Sequence, residues 1–213
     1  MPRDLVNRHF TAARPDQLWV ADFSYVPMAV GFGYTALVID AFAGRIVGWE
    51  CSLSKHTAFV DSAIRQAVAL RRRQGHPLAG GTIHHCDAGS QYTAVHFGET
   101  LLLEGLIPSI GTVGDALDNA LAKTTIGLYK AECVHDGSPF QRGPIATLAD
   151  LHEITSAWVH WYNTSRLMHR LGRRPPAEKT AHRPCVSLTP KPASCALGPG
   201  PCGLRPDQSP SPG

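Results

Sequence analysis

Three strand-like runs crowd into the first quarter of the chain with almost nothing between them. Residues 17–27, 33–43 and 45–54 are rich in Val, Ile, Tyr, Phe and Trp, and only short segments containing Gly31, Gly33 and Gly44 separate them. Parallel neighbours need a crossover of a dozen or more residues, so links this short must join antiparallel strands. The fold therefore begins as a three-stranded antiparallel meander. Over residues 56–74 the period changes: Phe59, Val60, Ala63, Ile64, Ala67 and Val68 recur at helical spacing, and Gly75 ends the run. Arg71, Arg72 and Arg73 fill its last turn, where cations suit the helix dipole, and are expected to be a helix-end charge cluster rather than a phosphate clamp. A fourth strand over 81–87, a helix at about 92–105, a short fifth strand near Ile107–Gly111 and a third helix over roughly 117–134 follow. After a loop from Asp136 to Gly143, Thr147 and Asp150 form a capping pair. They open a helix carrying Leu148, Leu151, Ile154, Trp158, Trp161 and Tyr162, whose aromatics are read as packing residues. The order β-β-β-α-β-α-β-α-α predicts an α/β chain: a mixed five-stranded sheet, the meander plus two further strands, flanked by helices.

Composition narrows the class. A length of 213 residues suits one domain with a tail, and 43% hydrophobic content is enough to build a core. No run of 18 apolar residues suggests a membrane span, and Met1-Pro2-Arg3-Asp4 lacks a secretory pattern, so a cytoplasmic protein with no membrane partner is expected. The net charge is only +3 with 11 histidines, so any nucleic-acid affinity must come from local arrangement. Six cysteines without a Cys-x-x-Cys pair argue against a zinc module or a disulfide framework, which leaves free thiols. Residues 184–213 hold eight of the 17 prolines and no apolar periodicity. Three regions are expected: an irregular lead-in over 1–16, a core over 17–182, and a Pro-rich, disordered tail over 183–213.

Two aspartates stand at the ends of apolar runs. Asp22 closes Leu18-Trp19-Val20-Ala21, and Asp87 closes Gly81-Thr82-Ile83-His84-His85-Cys86. A lone Asp at a strand end is usually a turn or cap residue, but the surrounding words are specific. They are Trp19-Val20-Ala21-Asp22-Phe23-Ser24-Tyr25-Val26 and His85-Cys86-Asp87-Ala88-Gly89-Ser90-Gln91-Tyr92. Next come Ile110 to Ala120 with Gly127-Leu128-Tyr129-Lys130, and Trp161-Tyr162-Asn163-Thr164-Ser165-Arg166-Leu167 with Arg174-Pro175-Pro176-Ala177-Glu178. In this order, over about residues 10–180, they resemble the integrase-like DDE core of bacterial insertion-sequence transposases, in the retroviral-integrase catalytic domain superfamily. The resemblance implies a ribonuclease-H-like fold. It also implies DNA integration and transposition by Mg²⁺-dependent phosphodiester cleavage and strand transfer. Asp22 and Asp87 would hold Mg²⁺ or Mn²⁺, hard ions that prefer carboxylates, while a water or 3′-hydroxyl attacks the phosphodiester. Asn119 and Lys130 would face DNA, Lys130 lying seven residues past position 123 and so on nearly the same helix face. The implied partners are DNA (element ends and target), and a homo-oligomer or an intact transposase. The implied location is the bacterial cytoplasm, on the nucleoid when bound.

The departures from that pattern are equally specific. Thirty-five residues separate Asp87 from Lys123, which stands where the family has its third carboxylate. The change deletes a negative ligand and adds a positive charge. At 4 Å the repulsion between unit charges is about 4 kcal/mol at an effective dielectric of 20, and a divalent ion doubles it. Asp118 lies roughly 140° and Glu132 roughly 180° around the helix from position 123, and Asp115 precedes the helix, so none is placed to substitute. Leu117 replaces the usual aromatic, Met168-His169 alters the closing motif, and Arg173 replaces a tyrosine. The family's upstream helical DNA-binding region is expected to be missing, because the chain begins about twenty residues before Asp22. The expectation is thus a truncated, catalytically impaired transposase core with weakened metal binding. The alternatives are a non-catalytic DNA- or partner-binding remnant and a one-metal nuclease that cuts without joining. On the fourth strand His84 and Cys86 share one face, His85 and Asp87 the other, so His85 is either near the metal pocket or a packing residue. Gly111 and Gly114 do not make a phosphate-cradling loop.

Overall fold

The computed structural model describes residues 3–87, 89, 95–111 and 119–181. The expected tail, along with Asp115, Leu117 and Asp118, lies outside the described residues. Strands β1 (Leu18–Pro27), β2 (Phe32–Asp40) and β3 (Arg45–Ser52) form the expected meander. Helix α1 (Thr57–Arg73) then crosses to β4 (Thr82–Cys86), which pairs parallel with β1, and α2 (Val95–Leu103) leads to β5 (Leu106–Ile110), parallel to β4. The sheet order is β3-β2-β1-β4-β5, so β1 lies at the centre. Helix α3 (Ala120–Tyr129), a π-helical turn (Lys130–Val134), α4 (Leu148–Thr164), a 3₁₀ turn (His169–Leu171) and α5 (Pro176–Ala181) complete the core.

Alternation along the strands splits the apolar residues into two clusters, one on each face. Trp19 and Ala21 of β1, with Ala36 and Val38 of β2, meet Phe59, Ala63, Ile64 and Ala67 of α1 and Phe97 and Leu101 of α2. Leu18, Val20 and Val26, with Leu37 and Ile39, meet Ala122, Ile126 and Tyr129 of α3 and Leu151, Trp158 and Tyr162 of α4. Helix α1 sits close on β3 because Gly48 has no side chain; a Cβ there would run into the Ala63 carbonyl and the Ala67 methyl. The capping box of α4 is present as expected, with the Thr147 hydroxyl accepting from the Asp150 N–H and the Asp150 carboxylate accepting from the Thr147 N–H.

Three features depart from the sequence reading. The helix expected to run to residue 134 changes at Lys130 into a π turn, in which the His135 N–H donates to the Lys130 carbonyl. The arginine cluster divides: Arg71 is 3% exposed and clasps Asp16 at 2.5 Å, while Arg72 reaches Glu104 across exposed surface. Residues 3–16 contain no strand or helix, yet Val6 is buried against the face that α3 and α4 cover, and the Leu5 N–H donates to Ser109. Among the described residues, no helix is long and apolar enough to cross a membrane.

Candidate active site

The two aspartates meet because β1 and β4 are parallel neighbours in register. Ala21 pairs with Cys86, and each strand presents its aspartate one residue later, on the sheet face covered by α3. Asn119 positions that helix. It stands at the N-cap, is fully buried, and donates from Nδ2 to the Ala21 carbonyl at 2.8 Å, tying the start of α3 to the residue before Asp22. One turn later Lys123 emerges over the sheet, and its Nζ lies 2.5 Å from Asp87 Oδ2. The pair is about one third exposed on each side. Asp87 Oδ1 is buried and accepts no hydrogen bond among the described residues.

Asp22 is pushed up to about 6, chiefly by burial; the Phe23 N–H that its Oδ1 accepts at 2.8 Å pulls the other way. Asp87 raises it further, and Lys123 and Lys130 lower it, so all four charges act on one another. Lys130 is exposed, and its ammonium stands 4.9 Å from the centre of the Tyr25 ring. Beyond it opens a groove of about 800 Å³, lined by Tyr25, Met28, Lys130, His135 and Gln141 among others.

Of the expected site residues, Asp22, Asp87, Lys123 and Lys130 converge. Asn119, expected beside a DNA groove, is enclosed and acts on the site through Ala21. Glu132 is committed elsewhere: it accepts from Arg166 at 2.6 Å and from the Trp158 indole N–H at 3.1 Å. His85 is buried and packed, with Nδ1 2.9 Å from the Ser109 hydroxyl and its ring edge-on to Phe10. His84 is enclosed against Phe97, and burial lowers it to about 3, so it stays neutral. Tyr25 was not singled out from sequence, because an aromatic near a strand end is ordinary surface until its neighbours are known.

The resemblance implies divalent ions at this site. Two carboxylates are hard oxygen donors of the right kind. A two-metal centre needs a third anionic ligand, and among the described residues no group of three His, Cys, Asp or Glu side chains converges. The position that would supply it carries an ammonium already seated on Asp87. The described residues do not fit a two-metal centre.

A five-stranded mixed sheet with one aspartate midway along its central strand and another just past the end of the neighbouring parallel strand is the arrangement expected of an integrase-type core. A family profile described as integrase core domain matches residues 12–116, and a second of that description matches residues 104–176. The chain belongs to this family, in the branch formed by the transposases of insertion sequences. The transposase for insertion sequence element IS629 of Shigella sonnei is 49% identical over 175 residues, covering 82% of this chain and 55% of that protein. A transposase assigned to element IS986/IS6110 in Mycobacterium tuberculosis is 43% identical over 180 residues, covering 84% and 63%. The chain thus spans between about half and two thirds of the length of these relatives. Among solved structures, a chain of the simian T-cell lymphotropic virus intasome in complex with PP2A regulatory subunit B56 gamma aligns with TM-score 0.67 at 15% identity, covering 98% of this chain and 64% of that one. The HTLV-2 integrase catalytic core domain in complex with magnesium, in its trimeric form, aligns with TM-score 0.56 at 17% identity, covering 79% and 99%.

Proposed function

We propose that this chain is a transposase core that keeps the DNA-facing surface of its family while its phosphodiester chemistry is impaired. In the active form of such a core, element ends would be cut and joined to target DNA with Mg²⁺ or Mn²⁺ at the carboxylates. The observation that carries the impairment is the ion pair between Lys123 and Asp87, at the position where the resemblance places a glutamate. The lysine removes a ligand, and its positive charge opposes any ion brought to Asp22 and Asp87. The core is read as acting on bacterial DNA in the cytoplasm, as an oligomer of itself or with an intact transposase. Its extent, from about residue 17 to 182, is taken as one domain.

The test compares the purified chain with Lys123→Glu on duplexes carrying the terminal repeats of its element, with Mg²⁺ and with Mn²⁺. Lys123→Glu is expected to nick and join the ends more than about a hundredfold faster. That factor corresponds to about 2.7 kcal/mol of barrier, a fraction of the roughly 8 kcal/mol of repulsion between an ammonium and a divalent ion at 4 Å. Equal rates in the two proteins would overturn the impairment. Inactivity of both would show that position 123 is not the decisive lesion.

A second reading is favoured by the same ion pair. An internally neutralised pocket suits a non-catalytic occupant of element ends, whose DNA binding would survive loss of both aspartates. Cutting without joining, abolished by Asp87→Asn, would instead mark a one-metal nuclease; the seat of Lys123 on Asp87 gives that reading no support.

A further inference from the structure

The geometry points to Lys123 as a tethered stand-in for a metal ion, which lets the Asp22–Asp87–Lys123–Lys130 pocket hold a DNA phosphodiester with no divalent cation present. This inference rests on the reading that the chain binds DNA, and it names the ligand group and the condition of binding. Above pH 7, with a glutamate at position 123, the four side chains would carry three negative charges and one positive. The pocket would then repel a phosphate until metal arrived. With lysine there the four charges sum to zero, a change of two units at one place.

The placement of the charges is as important as their number. Lys123 Nζ is held at 2.5 Å by Asp87 Oδ2, its one hydrogen-bond partner among the described residues, and an ammonium has three donors. It is 37% exposed, so donors remain turned to solvent. Lys130 lies two turns further along the same helix face, roughly 10 Å away at 1.5 Å per residue. A backbone running along α3 therefore meets two cations in line. The Tyr25 ring, 58% exposed beside Lys130 at the mouth of the groove, offers an aromatic surface to a neighbouring base. Among the described residues Asp22 Oδ1 accepts from the Phe23 N–H and Asp87 Oδ2 from the Lys123 ammonium, while Asp87 Oδ1 is buried with no donor on it.

The experiment is fluorescence anisotropy on a short labelled duplex bearing the element's terminal repeat, in EDTA and in Mg²⁺ at matched ionic strength, across a salt series. The proteins are wild type, Lys123→Gln, Lys123→Arg and Lys123→Glu. Wild type is expected to bind equally well in EDTA and Mg²⁺. Lys123→Gln should bind about tenfold more weakly with a salt slope shallower by about one, as for the loss of one phosphate contact, and Lys123→Arg should retain both. Lys123→Glu should bind poorly in EDTA and recover with Mg²⁺. A wild type that needs Mg²⁺, or a Lys123→Gln protein unchanged in affinity and slope, overturns the inference while leaving DNA binding in place. A wild type that binds DNA under no condition overturns the underlying reading and this inference with it. Circular dichroism of each variant separates weakened binding from failed folding.

Discussion

Lys123 sits on Asp87, and beside that pair stands the more deeply buried Asp22. Its carboxyl is raised to about 6, first by burial, and the two lysines only partly offset that and the charge of Asp87. In the unfolded chain the group returns to the ordinary aspartate range near 4. Between those values the folded state holds a proton that the unfolded state has released. The contribution of Asp22 to stability is therefore full below pH 4 and is lost as pH rises through 6. Asp22→Asn is expected to raise the melting temperature at pH 8, where the wild type carries a buried charge, and to leave it nearly unchanged at pH 4. Thermal unfolding at both values measures this; a gain of equal size at the two would show that the charge is not the cause. Asp22, Asp87 and Lys123 could be singled out in the sequence, because the motifs that carry the family resemblance point to each position. The contact between Lys123 and Asp87 was not, because a lysine stem can turn its ammonium to ligand or to solvent.

At the scale of elements, the meander and its crossover were legible for a simple reason: links over 28–31 and 41–44 allow only antiparallel pairing, and helical spacing over 57–73 demands an apolar face on the sheet. What escaped was information carried by distant partners. Arg71 reads as a solvated helix end until Asp16 is brought to it from 55 residues away. The π turn at 130–134 has no residue signature, since a bond from residue 135 to 130 rather than 131 depends on packing around Glu132, Trp158 and Arg166. The closeness of α1 to β3 depends on Gly48, where an added methyl meets backbone rather than a flexible side-chain end. Gly48→Ala is expected to cost about 1–3 kcal/mol by forcing the helix off the strand. That corresponds to a fall in melting temperature of roughly 2–10 °C for a domain of this size. An unchanged melting temperature would mean that the helix shifts without cost.

At the largest scale, one sheet separates two apolar clusters, and the charged pocket lies midway along β1 beside the end of β4, its aspartates belonging to neither cluster. The fold should therefore tolerate a change of charge at position 123 while its response to metal changes. Wild-type melting is expected to be indifferent to Mn²⁺. Lys123→Glu should melt lower in EDTA, where three carboxylates crowd together. It should gain roughly 5–10 °C when Mn²⁺ exceeds its dissociation constant about a hundredfold. Calorimetry decides it: an equal Mn²⁺ response in both proteins would contradict the pairing of Lys123 with Asp87. Asn119 bears on what such a restoration requires. Its amide still ties α3 to Ala21, and the register of β1 with β4 still sets the two aspartates side by side. Lysine and glutamate codons differ by a single first-position base. With the scaffold intact around that one side chain, the impairment proposed for this chain would be a reversible genetic state, one transition away from a third carboxylate at position 123.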